Sequence, residues 1–244
     1  TGNADSRDGD YFGPTLNRSA RLMAVGHGGQ VLISQTTASL IDGSRPPEVE
    51  LRDLGQHRLR DLARPERIHQ RTHPELPVDL PPLRSLDTYP TNLPLQTSSF
   101  FGREEDLGRL TKVLGECRLV TITGVGGVGK TRLALQVAAE VLPGYEDGAW
   151  FCELAVLQDP DELETVVASA LGVGQRNGLS LGESIVEFLR TKRLLLVLDN
   201  CEHVLDAVAE LVESCLAASP GLRVLATSRE GLAVAAGGEH SQPR

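Results

Sequence analysis

Gly124–Thr131 reads GVGGVGKT and follows RLVTIT, Arg118–Thr123. The eight residues fit G-x-x-x-x-G-K-[ST], the spacing of a phosphate-binding loop. Gly124, Gly126, Gly127 and Gly129 let the backbone wrap closely around phosphate oxygens without Cβ clashes. With Val128 between them, their N–H groups converge as an anion nest. A helix expected from about Lys130 to Leu142 points its N-terminal dipole at the same place. Lys130 would put a mobile positive charge on the β- and γ-phosphates, and Thr131 would offer a hydroxyl to magnesium. A Gly-rich turn with a solvated lysine is the plain alternative. A strand before and a helix after are the context that the phosphate mechanism requires.

Outward from the loop, residues 98–244 alternate strands and helices, the pattern of a parallel α/β sheet. Gly148–Leu154 (GAWFCEL) reads as a second strand, Leu194–Leu198 as a third and Arg223–Ala226 as a fourth. Helices are expected at 161–171, from Ser180 to Lys192, and at 202–218. The third strand ends in Asp199, placed to hold magnesium with Thr131; the alternative is a simple N-cap for the next helix. Glu202 is the nearest acid that could orient an attacking water, or else a favourable first-turn acid. The fourth strand runs into Thr227, Ser228 and Arg229, and Arg229 could reach a γ-phosphate or be a surface arginine. At the front of the segment lies SSFFGREEDLGRL, Ser98–Leu110. Phe100 and Phe101 could wall an adenine or staple the following helix, and Arg103 joins the cofactor-binding candidates.

FFGRE, GVGGVGKT, LLLVLDN and LATSRE, in that order, resemble the STAND class of signal-transduction ATPases, the NB-ARC-like group. The resemblance covers about residues 98–240. It implies a truncated, ASCE-type P-loop NTPase sheet that binds ATP or ADP with magnesium. It further implies a slow switch that controls oligomerisation, often in bacterial regulators with a DNA-binding module. Asn200 stands where many members carry a second acid, which implies slow hydrolysis.

The sheet is expected to be incomplete. In this P-loop class the strand ending at Arg229 lies between those ending at Thr123 and Asp199. After Glu230 only GLAVAAGGEHSQPR (residues 231–244) remains, too short and polar for a fifth strand. The strand Arg118–Thr123 would keep one open edge, and the fragment would be sticky.

The rest of the chain bounds the reading. Six prolines between 74 and 97 suit an extended, semi-rigid linker. Residues 98–244 hold 13 basic and 21 acidic side chains, most of the net charge of −9. An acidic surface opposes a nucleic-acid backbone, so direct DNA binding by this stretch is not expected. The four cysteines, at 117, 152, 201 and 215, show no CxxC spacing and read as free thiols of a reducing cytoplasm. No apolar run approaches the roughly 18 residues of a membrane span. The polar, acidic first residues do not read as a signal peptide, and the missing initiator Met reads as a fragment, which leaves room for a targeting segment upstream.

Residues 1–73 read as a small α+β piece. In RDGDYFGPTLNRSARLM, Arg7–Met23, Asn17 and Arg21 stand at i and i+4 and share a helix face. An amide and a guanidinium there could clamp a polyphosphate, or be ordinary surface residues. His27 reads as a loop-packing histidine. With HGGQVLIS (His27–Ser34) and Glu50–Gln70, the stretch resembles the end of a class III adenylate/guanylate cyclase domain. That resemblance implies a purine-selecting role for Asp10, a transition-state role for Asn17 and Arg21, and a cyclase-type dimer. The family's metal aspartates have no counterpart, so cyclase activity is not expected of this chain. Three rivals follow: a cyclase with an appended regulator, a nucleotide-stabilised scaffold without turnover, and a P-loop kinase, for which no acceptor site is apparent.

Overall fold

The computed structural model describes residues 1–232 except 8, 9, 45–48, 61, 63, 75, 78, 95–101 and 158. The chain forms two compact units, Thr1–Thr88 with Leu95–Phe100, and Tyr89–Pro94 with Phe101–Arg244.

The first unit opens with a short antiparallel pair, β1 (Asp5–Arg7) and β2 (Asp10–Phe12). Helix α1 (Pro14–Ala24) follows Gly13, whose φ of 135° suits glycine, and starts on Pro14, whose fixed φ and missing donor fit a first turn. Strand β3 (Val31–Ser34), helix α2 (Gln35–Ile41), β4 (Glu50–His57) and β5 (Glu66–Thr72) complete it. Ser34 caps α2 by accepting from the Thr37 amide. The antiparallel order is β3-β5-β4, so the last strand lies in the middle. Alternation in β5 buries Glu66, Ile68 and Gln70. Leu22 and Val25 from the α1 end join Leu59, Ile68 and Leu83 in a small core. On the exposed face Arg67 grips Asp53 and holds its carboxyl down at about 2, with the Gly55 amide assisting.

The second unit is a four-stranded parallel sheet ordered β6-β9-β8-β7. Its strands are β6 (Leu119–Thr123), β7 (Ala149–Glu153), β8 (Leu195–Asp199) and β9 (Arg223–Ser228). The order by sequence is first, fourth, third, second, as the resemblance to the P-loop class implies. Helices α3 (Glu104–Glu116) and α4 (Lys130–Val141) pack together, and both meet β6. Helices α5 (Leu163–Leu171), α6 (Leu181–Leu189) and α7 (Leu205–Ala218) form a second layer whose core includes Leu196, Leu198, Val224 and Ala226. A parallel sheet covered on both faces needs apolar side chains on both. Leu194–Leu198 are all at most 2% exposed.

Several boundaries differ from expectation. β9 runs through Ser228 because Thr123 pairs with Ser228 at the end of the ladder. The segment after β8 is not one helix from 202: Asn200 takes a left-handed φ of 69°, a 3-10 turn covers Cys201–His203, and Val204 at φ −135° breaks the path before α7. Asp199 is therefore not the cap of α7, nor is Glu202 in its first turn.

The Pro-rich stretch is divided between the units, residues up to Thr88 in the first and Tyr89–Pro94 in the second. Leu83 and Ser85 are buried in the first, where the Arg84 amide donates to Val25. Thr91 bridges in parallel to Ala149 on the outer side of β7. The Asn92 side chain donates to the Phe151 carbonyl (2.8 Å) and accepts from its amide (2.6 Å), standing in for a peptide unit of a neighbouring strand. Gly148, φ 86°, permits this: a Cβ there would lie 1.7 Å from the Pro90 carbonyl oxygen. Across the sheet, β6 pairs only with β9 among the described residues. Of residues 231–244, the stretch left for a fifth strand, 233–244 lie outside the described residues.

Candidate functional site

Thr123 ends β6, and the chain then turns through Gly124–Gly129 into α4. Gly124, Gly127 and Gly129 have φ of 152°, 79° and 84°, and Gly129 is left-handed at the N-cap of α4. Side chains there would be strained, so these backbone positions favour glycine. Lys130 lies over the loop, its ammonium donating to the carbonyls of Gly124 (2.8 Å) and Val125 (3.1 Å). Six consecutive residues, Leu133–Ala138, are buried, so α4 is anchored on all sides behind the loop.

Asp199 is 5% exposed and receives one hydroxyl on each oxygen. Thr131 donates to Oδ2 at 2.9 Å and Thr227 to Oδ1 at 2.5 Å. The donor set is hard oxygen, which suits magnesium with its preference for one or two carboxylates plus waters and phosphates. No group of three or more His, Cys, Asp or Glu side chains that could cage a metal occurs among the described residues. Asp199 and Thr131 would fill only part of a magnesium shell, leaving its other positions to waters and phosphates beside the glycine loop and Lys130.

Two arginines flank the loop. Arg103 donates from Nη1 to the Val128 carbonyl at 3.0 Å and pairs with Asp106 at 2.8 Å. Arg229, two residues past Thr227, pairs with Glu202 at 3.2 Å, and its Nη2 lies 3.9 Å from where a Cβ on Gly126 would be. Glu202 is mostly enclosed, and its Oε2 has no hydrogen-bond partner. Cys201 donates weakly to the Leu198 carbonyl; burial, then Asp199 and Glu202, push its thiol up to about 12. Burial does the same to Cys152 and Cys215, so these thiols stay protonated and are inert.

The fold thus brings Gly124–Thr131, Arg103, Asp199, Glu202 and Arg229 to one end of the sheet. Thr227 was visible in the sequence only as the end of a strand; its polar type inside an otherwise apolar buried run, VLAT, was the available signal. Phe100 and Phe101 lie outside the described residues.

The cyclase-like candidates are not gathered in the same way. Asn17 lines a cavity of about 750 Å³ with Arg18, His27, Gln30 and Ser34, whereas Asp10 and Arg21 do not line it. Asp10 is exposed and accepts from the Tyr11 amide. His27 is bonded to the Pro82 carbonyl at 3.0 Å, a packing role.

The chain matches the NB-ARC domain family over residues 103–243. It is 41% identical over 138 residues to "Uncharacterized protein Rv0894" of Mycobacterium tuberculosis, covering 57% of this chain and 35% of that one. It is 45% identical over 123 residues to "Putative HTH-type transcriptional regulator Rv0890c" of the same organism, covering 50% and 14%. The matched stretch is thus about a third or less of these two curated relatives. Among solved structures, Cdc6p from Pyrobaculum aerophilum aligns with 57% of this chain and 41% of its own, at 21% identity and TM-score 0.41. No helix among the described residues is long and apolar enough to cross a membrane. Loop, buried carboxylate and the match over residues 103–243 point the same way, and the chain belongs to the NB-ARC family of P-loop ATPase domains.

Proposed function

We propose that residues 98–244 bind magnesium with ATP or ADP and act as the slow switch of a multidomain signalling regulator. The observation that carries this is the contact between Thr131 and Asp199 across the sheet, 2.9 Å, beside a glycine cradle with Lys130 over it. Bound magnesium would neutralise phosphate charge there. Lys130 would exchange its two loop carbonyls for phosphate oxygens. Thr131 would keep its proton on Asp199 and turn a lone pair to the metal. Arg229 would leave Glu202 for the γ-phosphate, so that ATP and ADP make different contacts and bias different states. Glu202, with its unpartnered Oε2, is the group that would orient water. Asn200 brings no second carboxylate, which supports slow turnover. The name of the relative called an HTH-type regulator supports a transcriptional setting, and the buried free thiols suit the cytoplasm. Self-assembly through this domain belongs to the same reading.

Calorimetry tests it. ADP with magnesium should bind, and Lys130→Ala should weaken binding by about 10- to 100-fold, the loss of charge-assisted hydrogen bonds. Equal binding by the variant would remove the site.

For residues 1–73 we propose a partial cyclase-like module, joined by residues 74–97, in which Asn17 faces a ligand-sized cavity. No cyclic nucleotide should form from this chain alone. Cyclic AMP production by the purified protein would reverse that assignment.

A further inference from the structure

The Asp199 carboxylate is held from a strand that the phosphate loop does not touch in sequence. Thr227 lies on β9, next to β8 in the sheet, and is 1% exposed. Its hydroxyl has one proton and two lone pairs. The Asn200 amide donates to it at 2.9 Å, so its own proton goes to Asp199 Oδ1 at 2.5 Å. The two partners are consecutive residues, and the second is Asn200, the only non-glycine with positive φ among the described residues. Such a backbone persists where its surroundings over-determine it. One hydroxyl therefore pins both the carboxylate and the left-handed turn that carries the chain on to Glu202.

We propose that Thr227 is the positioning residue for the magnesium side of the nucleotide site, an inference that rests on the function proposed above. Thr131 holds Oδ2 and Thr227 holds Oδ1, which fixes the carboxylate plane and leaves each oxygen a lone pair for the metal or its waters. β9 then reads the site at two points, the metal carboxylate through Thr227 and the phosphate end through Arg229. Groups that orient a metal ligand act on metal affinity rather than on phosphate affinity.

The test is ADP affinity of the full chain as a function of magnesium concentration. Wild type should bind ADP more tightly as magnesium rises. Thr227→Val should need about 10- to 100-fold more magnesium for the same gain, with ADP affinity in excess chelator unchanged. Thr227→Ser should restore the wild-type curve. Should the valine variant fail to fold, Thr227→Cys, a weak donor, is compared with Thr227→Ser: the serine variant should keep the magnesium gain and the cysteine variant lose it. A valine or cysteine curve that overlays wild type overturns the proposal and leaves the site standing. Equal loss of affinity with and without magnesium also overturns it, since that is a structural effect. If wild-type binding responds neither to magnesium nor to Lys130→Ala, the nucleotide site itself is refuted and this proposal with it.

Discussion

Helices α1 and α4 begin alike, each after a glycine with positive φ, and each has polar side chains near its start. They end up in different chemistry. Behind the α4 start, six consecutive residues are buried, and residues about 70 and 100 positions later arrive beside it. Along α1 only Leu22 is buried, and Asn17 reaches a cavity that Asp10 and Arg21 do not line. Both helices show what a short motif can do; only burial of the surrounding elements makes distant residues converge.

The difference in anchoring should show most strongly when side chains are shortened. Leu133→Ala, at 2% exposure in α4, should cost about 2–5 kcal/mol. Met23→Ala, at 78% exposure on α1, should stay within about 0.5 kcal/mol. Urea unfolding measures both, and similar midpoints would show that α4 is no better anchored than α1.

A smaller effect is expected at the sheet margin. Gly148→Ala puts a Cβ against the Pro90 carbonyl and asks alanine to adopt φ 86°. It should destabilise by more than about 1 kcal/mol and speed hydrogen exchange of the Phe151 amide, which Asn92 covers. Unchanged exchange would mean that the Asn92 contact does not protect β7.

The smallest effect belongs to the first unit. Asp53 titrates at about 2 in the folded chain against 3.8 ordinarily, so its contribution is complete above about 3.8 and disappears as pH falls toward about 2. Both partners are exposed, and the gain should be slight. Asp53→Asn should flatten stability against pH in that window; the same slope in both proteins would place the acid sensitivity elsewhere.

What could be read without coordinates follows the same division. The P-loop and an acid at the end of the third strand were legible because glycine spacing and an acid ending an apolar run are local signals, whereas the strand order followed only from the family resemblance. Arg103 on Val128, Asn92 on Phe151 and Thr227 on Asp199 join residues 25, 59 and 28 apart through single polar side chains, which no periodicity announces. The Pro-rich stretch looked like a spacer because proline density reports backbone stiffness, not what the stretch lies against. In residues 1–73 the shared helix face of Asn17 and Arg21 was legible, but whether both line one cavity depends on packing.

The seat of Thr91 and Asn92 on β7 has a practical side. An expression boundary drawn at residue 98, where the sequence pattern of the ATPase half begins, would strip a pseudo-strand from the sheet's outer margin. Both backbone groups of Phe151 would then be left to pair with another chain, and preparations should aggregate at moderate concentration. Starting at Tyr89 retains the cover and adds only nine residues.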